Sequence, residues 1–163
     1  MRRVSITVFC ILCCTITFTV GCEKAGQPGL EYTITDAYKY PVEPGMEEWK
    51  KLNSLQEKAE ACQIPVDILG SMTTEALIET VVNYPLFINV FAYDNKKTGL
   101  EHVKGYFNGL QELYQRDDAI EKMENYIGEK FKEVEDRQPE KFKKMFAEFV
   151  LNNLKETLNN SSN

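Results

Sequence analysis

An apolar run without a single charge occupies the first part of the chain, and it decides which residues remain to build a soluble fold. The run extends from Val4 to Val20 and follows Arg2 and Arg3. It is at the short end of what crosses a hydrocarbon core of ~30 Å. A positive start followed by such a run is typical of a secretory signal peptide, which is removed from the mature protein. We therefore expect the folded part to lie after it.

The segment that closes this run, Thr19-Val20-Gly21-Cys22, resembles the bacterial lipobox, in which small residues precede a cysteine. The resemblance implies that a diacylglyceryl group is attached to the Cys22 thiol and that the chain is cleaved before it. Thr19 departs from the usual Leu or Val. The alternative is an ordinary signal peptide that is cut nearby. We expect an extracytoplasmic lipoprotein anchored to the cell membrane through lipid on Cys22, or, in the alternative, a secreted protein.

Cysteine usage agrees with a lipoprotein. Cys10, Cys13 and Cys14 lie in the segment to be removed, so the mature chain retains only Cys22 and Cys62. If Cys22 carries lipid, Cys62 has no cysteine to pair with, and no disulfide framework is expected. We interpret Cys62 as a small buried hydrophobic residue; a reactive thiol is the alternative.

The charge balance excludes one large class of partner. The net charge is −6, and loss of Arg2 and Arg3 with the signal peptide brings it to −8. Proteins bind nucleic acid chiefly by neutralising phosphates with Lys and Arg, so an acidic chain argues against that function. The composition also argues against docking on anionic lipid through a basic patch. The charge is expected to serve solubility.

Composition divides the chain into four parts: a signal peptide at residues 1–21, the lipidated Cys22 with a tether at 22–37, one helical domain at 38–158, and a disordered tail at 159–163. The tether contains Gly26, Pro28 and Gly29 and has little hydrophobic periodicity, which is typical of a flexible linker. The remaining ~120 residues are enough for one domain that buries roughly two-thirds of its unfolded surface.

The domain is predicted to be a compact all-α bundle of about five or six helices. Apolar residues recur at spacings of three and four, first from Trp49 to Cys62 and then from Leu100 to Tyr114, so each of these stretches is expected to be one helix. Thr73 or Thr74 is the expected N-cap of another helix. The last helix is predicted to start at Pro139.

Two local features need separate comment: an apolar segment that could be helix or strand, and a pair of glycines. Residues 86–93 are apolar nearly all round, which fits either a buried helix or a strand. Helix is favoured because Pro85 suits a first helical turn and no second strand-like run exists to pair with it. Gly105 and Gly109 lie four residues apart and are expected to allow a neighbouring helix to approach closely, at a cost in helix propensity.

Several short motifs occur in one order from about Tyr38 to Asp118. They are Tyr40-Pro41-Val42-Glu43-Pro44-Gly45, Trp49, Ala61-Cys62-Gln63-Ile64-Pro65, Thr74-Glu75-Ala76-Leu77, Asn83-Tyr84-Pro85-Leu86 and Phe107-Asn108-Gly109-Leu110-Gln111-Glu112-Leu113. Together they resemble a recurring helical domain of uncharacterised secreted or surface lipoproteins of Gram-positive anaerobic bacteria. The resemblance implies an exported helical module and carries over no catalytic residue.

The residues that usually perform catalysis or hold metals are few. His102 is the only histidine, and a catalytic base needs a nucleophile and an orienting group around it. Cys62 is the only thiol available and is distant in sequence. One His and one Cys cannot complete a zinc site, and the acidic clusters lack the pattern of a calcium loop. We expect no catalytic residue, no metal and no cofactor.

Aromatic side chains concentrate in the middle third of the chain. Core packing is the default for such residues, and the alternative is that a subset lines a groove for a peptide or glycan. The candidates for that groove are Tyr84, Phe91, Tyr93, Tyr106 and Tyr114. The last helix presents a wide stripe of Phe142, Phe146, Phe149 and Val150, for which core packing is again the default and a partner surface the alternative.

These observations favour an envelope lipoprotein whose helical domain is a non-enzymatic binding or scaffolding module. Its expected partners are the membrane, through the lipid on Cys22, and a peptide, protein or cell-wall ligand. Two alternatives belong to other classes. One is an extracytoplasmic hydrolase that uses acids with Cys62 or His102. The other is an accessory subunit of an envelope complex, which predicts a large exposed apolar patch.

Overall fold

Most of the described residues after position 46 are helical, because apolar residues recur there at spacings of three and four. The computed structural model describes residues 32–132 and 138–161. Within those ranges the elements are α1 (Glu47–Lys51), α2 (Leu55–Ala61), α3 (Val66–Ser71), α4 (Thr74–Val82), a 3-10 helix (Phe87–Ala92), α5 (Lys96–Tyr106), α6 (Asn108–Leu113), α7 (Ala119–Lys130) and α8 (Gln138–Ser161). The predicted signal peptide, Cys22 and most of the tether lie outside the described residues.

The all-α class is confirmed, but the described residues contain more and shorter helices than the five or six expected. The stretch from Trp49 to Cys62 is two helices, separated at Leu52–Ser54. Ser54 caps α2 by accepting a hydrogen bond from the Glu57 N–H at 3.1 Å, and the Glu57 carboxylate accepts one from the Asn53 N–H at 2.7 Å. This near-reciprocal arrangement starts a new helix where periodicity alone suggested continuation.

The stretch from Leu100 to Tyr114 is also divided, at Phe107, whose backbone is extended between α5 and α6. Other expectations hold. Thr73 caps α4 by accepting from the Ala76 N–H at 3.2 Å, and α8 spans the helix predicted to begin at Pro139. The ambiguous residues 86–93 contain a 3-10 helix rather than a strand. Residues 159–161, predicted as part of a disordered tail, belong to α8, and 162–163 lie outside the described residues.

The core is built around α4. Seven of its residues are buried, so it is covered on most sides, by α6, α7 and α8. Thr80 is a polar residue within this helix, and its hydroxyl donates to the Ala76 carbonyl at 2.7 Å and accepts from the Tyr38 N–H at 2.8 Å. Its hydrogen bonds are thus satisfied inside the core, as burial of a hydroxyl requires.

Contacts with the body of the domain begin before Tyr38. Ile34 forms a parallel bridge with Met72: its N–H donates to the Ser71 carbonyl at 2.7 Å, and its carbonyl accepts from the Thr73 N–H at 2.8 Å. The end of the segment predicted as tether is therefore held against the junction of α3 and α4. Among the described residues no helix has the length and apolar character needed to span a bilayer.

Candidate functional site

A groove of ≈ 500 Å³ opens between α2 and the end of α5, and we call it the Tyr106 groove. Its volume is within the range of small-ligand sites. Leu55, which is 43% exposed, Ala59 and the ring of Tyr106 give it an apolar lining, and amide and carboxylate groups stand at its rim. The lining residues are Leu55, Gln56, Ala59, Glu60, Gln63 and Tyr106.

Gln63 fixes the distance between the two walls of this groove. Its side-chain amide donates to the carbonyls of Ala59 in α2 and Tyr106 in α5, both at 2.7 Å. Its carbonyl oxygen accepts from the Asn108 N–H at 3.2 Å. One side chain therefore bridges both walls of the groove.

Next to Gln63, hydrogen bonds join the segment after α2 to the start of α6. The Asn108 amide receives a bond from the Ile64 N–H at 3.0 Å and donates one to the Ile64 carbonyl at 2.7 Å. A Cβ added at Gly109 would lie 2.7 Å from Ile64 Cδ1, so a larger residue here would force the Ile64 side chain to shift. The expected close approach of a neighbouring helix is not found at Gly109, where the nearest atoms belong to Phe107 and to Ile64 in the loop after α2. Gly105 has open space around it.

Three aromatic rings form a continuous surface that leads away from the groove. His102 is exposed and lies between Tyr93, at 5.3 Å between ring centroids, and Tyr106, at 5.6 Å. The Tyr106 hydroxyl accepts from the Asn89 amide at 3.3 Å. Partial burial raises the pKa of the Tyr106 hydroxyl, so it stays protonated and can donate as well as accept.

Comparison with known protein families, curated proteins and solved structures finds no match to this chain. The properties of the site are therefore read from its own residues.

The five aromatic residues proposed from sequence for a ligand groove do not lie together. Tyr93 and Tyr106 are joined through His102. Phe91 lies against Phe142 of α8, at 5.6 Å between centroids. The Tyr114 hydroxyl donates to Asn153 at 2.5 Å, and its ring is covered by the Lys104 ammonium. The remaining residue, Tyr84, is fully buried and stacks on Phe107 at 3.8 Å.

Cys62 and His102 occupy different environments. The Cys62 thiol is 0% exposed, and its nearest polar contact is the Val42 carbonyl at 3.8 Å. Burial, with a smaller contribution from the Glu43 carboxylate, raises the pKa of this thiol to about 11. A buried, protonated thiol is a poor nucleophile, whereas the imidazole is solvated. This geometry argues against a hydrolase that pairs the two.

Several acidic groups in the described part of the chain pair with lysines of other helices. Glu75 pairs with Lys122 at 2.6 Å and Glu124 with Lys155 at 2.6 Å. No group of three or more His, Cys, Asp or Glu residues in residues 32–132 and 138–161 is placed to share a metal ion. What the described site offers chemically is recognition: an apolar floor, an aromatic surface and a few hydrogen-bonding groups.

The sequence did not single out Leu55, Gln56, Ala59, Glu60 or Gln63 as site residues. Leu55 and Ala59 lie four apart and were interpreted as one apolar stripe that faces the core. Of these two, only Ala59 is buried, and Leu55 in the first turn of α2 is 43% exposed. The feature of the sequence that could have identified Leu55 is its position, as an apolar residue in the first turn of a short helix with its own N-cap.

Proposed function

We propose that the chain is an extracytoplasmic lipoprotein, anchored by lipid on Cys22, whose helical domain binds a peptide segment of a partner in the Tyr106 groove. The anchor is supported by the sequence alone, through the charged start, the apolar run and Gly21-Cys22. The binding role is supported by the groove, which combines an apolar floor with rigid walls.

The single observation that carries the binding role is the apolar lining made by the exposed Leu55, the half-buried Tyr106 and Ala59 beneath them, beside polar groups at the rim. Such a surface accepts one apolar side chain and holds the flanking backbone through amides and carboxylates. Glu60 accepts a bond from the Gln56 amide at 2.9 Å, and both are exposed. A peptide with an apolar anchor residue supplies both kinds of contact.

The anchor is tested by the intact mass of the protein recovered separately from the membrane and the medium of a lipoprotein-processing bacterium. We expect a membrane-bound species that begins at Cys22 and is heavier by a diacylglyceryl group. A Cys22→Ala variant is the matched control and should lose that mass. An unmodified protein found only in the medium contradicts the anchor and supports the secreted alternative.

The binding role is tested by placing a photo-crosslinking amino acid at Leu55 and, as a control, at Val66, which is 82% exposed on α3 and outside the groove. The expected result is a discrete adduct from Leu55 that is absent from Val66, disappears with Tyr106→Ala and contains a defined peptide. If neither position 55 nor position 66 gives an adduct, the proposal is contradicted. An adduct that contains wall glycan would replace the peptide with a sugar ligand.

A further inference from the structure

Asn108 and Gly109 form the one Asn-Gly pair in the sequence. This dipeptide is the one in which asparagine converts most readily to aspartate without an enzyme. Glycine has no Cβ, so nothing screens its amide nitrogen from the side-chain carbonyl carbon of the residue before it. The pair lies at the start of α6, where the asparagine side chain also joins α6 to the segment after α2. A reactive dipeptide therefore occupies a position on which the fold depends.

The reaction of such a pair is a ring closure followed by hydrolysis. The Gly109 amide nitrogen gives up its proton and forms a bond to Cγ of Asn108. The bond from Cγ to the side-chain nitrogen breaks, and that nitrogen takes up a proton and leaves as ammonia. Water then adds to one of the two carbonyls of the five-membered imide and cleaves its bond to nitrogen. The product is aspartate or isoaspartate, in which the chain continues through the former side-chain carbonyl.

Three features of the folded domain oppose the ring closure. The Asn108 amide is held by the Ile64 backbone, accepting from the N–H at 3.0 Å and donating to the carbonyl at 2.7 Å. Asn108 is helical, and its Cγ reaches the next nitrogen only if the backbone leaves that conformation. Gly109 is buried, so water has little access to the proton on its nitrogen. The reaction therefore requires the junction between Ile64 and α6 to open.

The product cannot rebuild this junction. An aspartate carboxylate has no proton to donate to the Ile64 carbonyl, so two oxygens face each other where a hydrogen bond stood. Isoaspartate lengthens the backbone by one atom beside Gly109, where a Cβ would already lie 2.5 Å from Phe107 Cζ and 2.7 Å from Ile64 Cδ1. Ile64 is 1% exposed, so water has little access to its unpaired backbone groups.

The Tyr106 groove depends on the same junction. The Asn108 N–H donates to the Gln63 side-chain carbonyl at 3.2 Å. The amide of that glutamine bridges the carbonyls of Ala59 and Tyr106, one in each wall of the groove. A displaced backbone at position 108 therefore removes a hydrogen bond that orients the side chain between the two walls.

We propose that Asn108 is a deamidation site and that the fold controls the reaction. While the junction between Ile64 and α6 is closed, the asparagine stays intact. When the junction opens, the Gly109 nitrogen becomes accessible, the ring closes, and the product prevents the junction from closing again. The modification is thus an irreversible consequence of local opening. Water is its only co-reactant, and it depends neither on a ligand in the groove nor on lipid at Cys22.

The test compares two Asn-Gly pairs in the processed full chain that carries Pro44→Asn. This substitution places a second pair in the exposed turn before α1, where Gly45 has a φ of 102°. The folded protein and the same protein in urea are incubated at pH 8, and mass spectrometry of proteolytic peptides follows both positions. We expect position 108 to react at least about tenfold more slowly in the folded protein than in urea, and position 44 to differ by less than about threefold.

Two results overturn the proposal. One is equal reaction at position 108 in the folded and the unfolded protein, which would show that the junction does not protect the asparagine. The other is equal protection of positions 44 and 108, because a property of the whole folded chain would then explain it. Circular dichroism verifies that Pro44→Asn retains the helices.

The irreversible step is tested with the product itself. Asn108→Asp carries the aspartate that deamidation forms, and Asn152→Asp is the matched control, because it makes the same charge change at an exposed position of α8. Urea unfolding should show that Asn108→Asp either does not fold or has an unfolding equilibrium constant raised by at least about tenfold, whereas Asn152→Asp stays close to the unchanged chain. Equal stability of the two variants overturns the proposal, because the modified junction would then close normally.

Discussion

Asn108 binds both backbone groups of Ile64, accepting from its N–H at 3.0 Å and donating to its carbonyl at 2.7 Å, across 44 residues of sequence. Ile64 is 1% exposed, so these backbone groups have little access to water. The Asn108 side chain thus satisfies the Ile64 N–H and carbonyl in the way that a neighbouring β-strand would. The contact joins two of the motifs noted in the sequence, Ala61-Cys62-Gln63-Ile64-Pro65 and Phe107-Asn108-Gly109-Leu110-Gln111-Glu112-Leu113, and gives them a structural role.

Removal of this amide is expected to destabilise the domain by about 2–4 kcal/mol, because Asn108→Ala leaves a buried donor and acceptor without partners. The measurement is urea unfolding of the processed chain followed by far-ultraviolet circular dichroism. Asn152→Ala is the control, since Asn152 is exposed on α8, and it should change the free energy of unfolding by about 0.5 kcal/mol or less. Equal effects of the two variants would contradict the role of Asn108.

The two glycines around Phe107 should respond to alanine in opposite directions. A Cβ at Gly109 would lie 2.5 Å from Phe107 Cζ and 2.7 Å from Ile64 Cδ1, so Gly109→Ala is expected to cost roughly 1–3 kcal/mol. Gly105 is exposed in α5 with open space around it, and Gly105→Ala should stabilise by up to about 1 kcal/mol. Thermal unfolding of both variants checks the pair, and a lowered melting temperature for Gly105→Ala would count against the helix geometry.

Tyr84 and Tyr40 are both buried, and together they measure how much the hydrogen bond of a buried tyrosine hydroxyl contributes to the free energy of unfolding. The Tyr84 hydroxyl is buried and has no hydrogen-bond partner among the described residues, whereas that of Tyr40 donates to the Thr80 carbonyl at 3.0 Å. We expect Tyr84→Phe to be neutral or stabilising and Tyr40→Phe to cost about 1 kcal/mol. Denaturant unfolding measures both. A loss for Tyr84→Phe as large as that for Tyr40→Phe would reveal a partner such as a buried water.

Alkaline pH should destabilise the domain through Cys62. The pKa of its thiol is raised by burial from an ordinary value of 9.0 to about 11, so the unfolded chain loses this proton first. The stability linked to the thiol is therefore complete below pH 9 and is lost as the pH rises toward 11. Unfolding free energies at pH 8, 9 and 10 measure this slope. Cys62→Ala should flatten it, and an equal slope in the variant would assign the effect to other groups.

Tyrosines contribute to the same slope, because burial raises the pKa of six tyrosine hydroxyls above their ordinary value of 10.0. These tyrosines are Tyr38, Tyr40, Tyr84, Tyr106, Tyr114 and Tyr126. The part of the slope that Cys62→Ala removes is therefore the part that belongs to the thiol.

Sequence reasoning succeeded where one helix carries its own signals. Thr73 followed by Glu75 defined the start of α4, and Pro139 followed by regularly spaced phenylalanines defined α8. The break before α2 also has a local signal, since Ser54 and Glu57 form a capping pattern. The continuous apolar spacing from Trp49 to Cys62 nevertheless predicted one uninterrupted helix.

The candidate site was only partly accessible from sequence. Tyr106 was identified as a groove residue and lies at the groove, but Leu55 and Gln63 were not identified, because their roles depend on how α2 is placed against α5. Tyr84 and Tyr93 were grouped with Tyr106 because all are aromatic and close in sequence. The fold buries the first of them and leaves the second at the surface.

The sequence by itself determined the helical class and the ends of the strongly capped helices, since periodicity and caps act over a few neighbouring residues. It also supplies the expectation of a lipid on Cys22, which depends on a short linear motif. Only the tertiary structure decided the break at Phe107, the burial of Tyr84 and the shape of the Tyr106 groove. Each of these depends on contacts between residues some twenty to forty-five positions apart, and local spacing specifies which side of a helix a residue occupies but not which neighbour covers it.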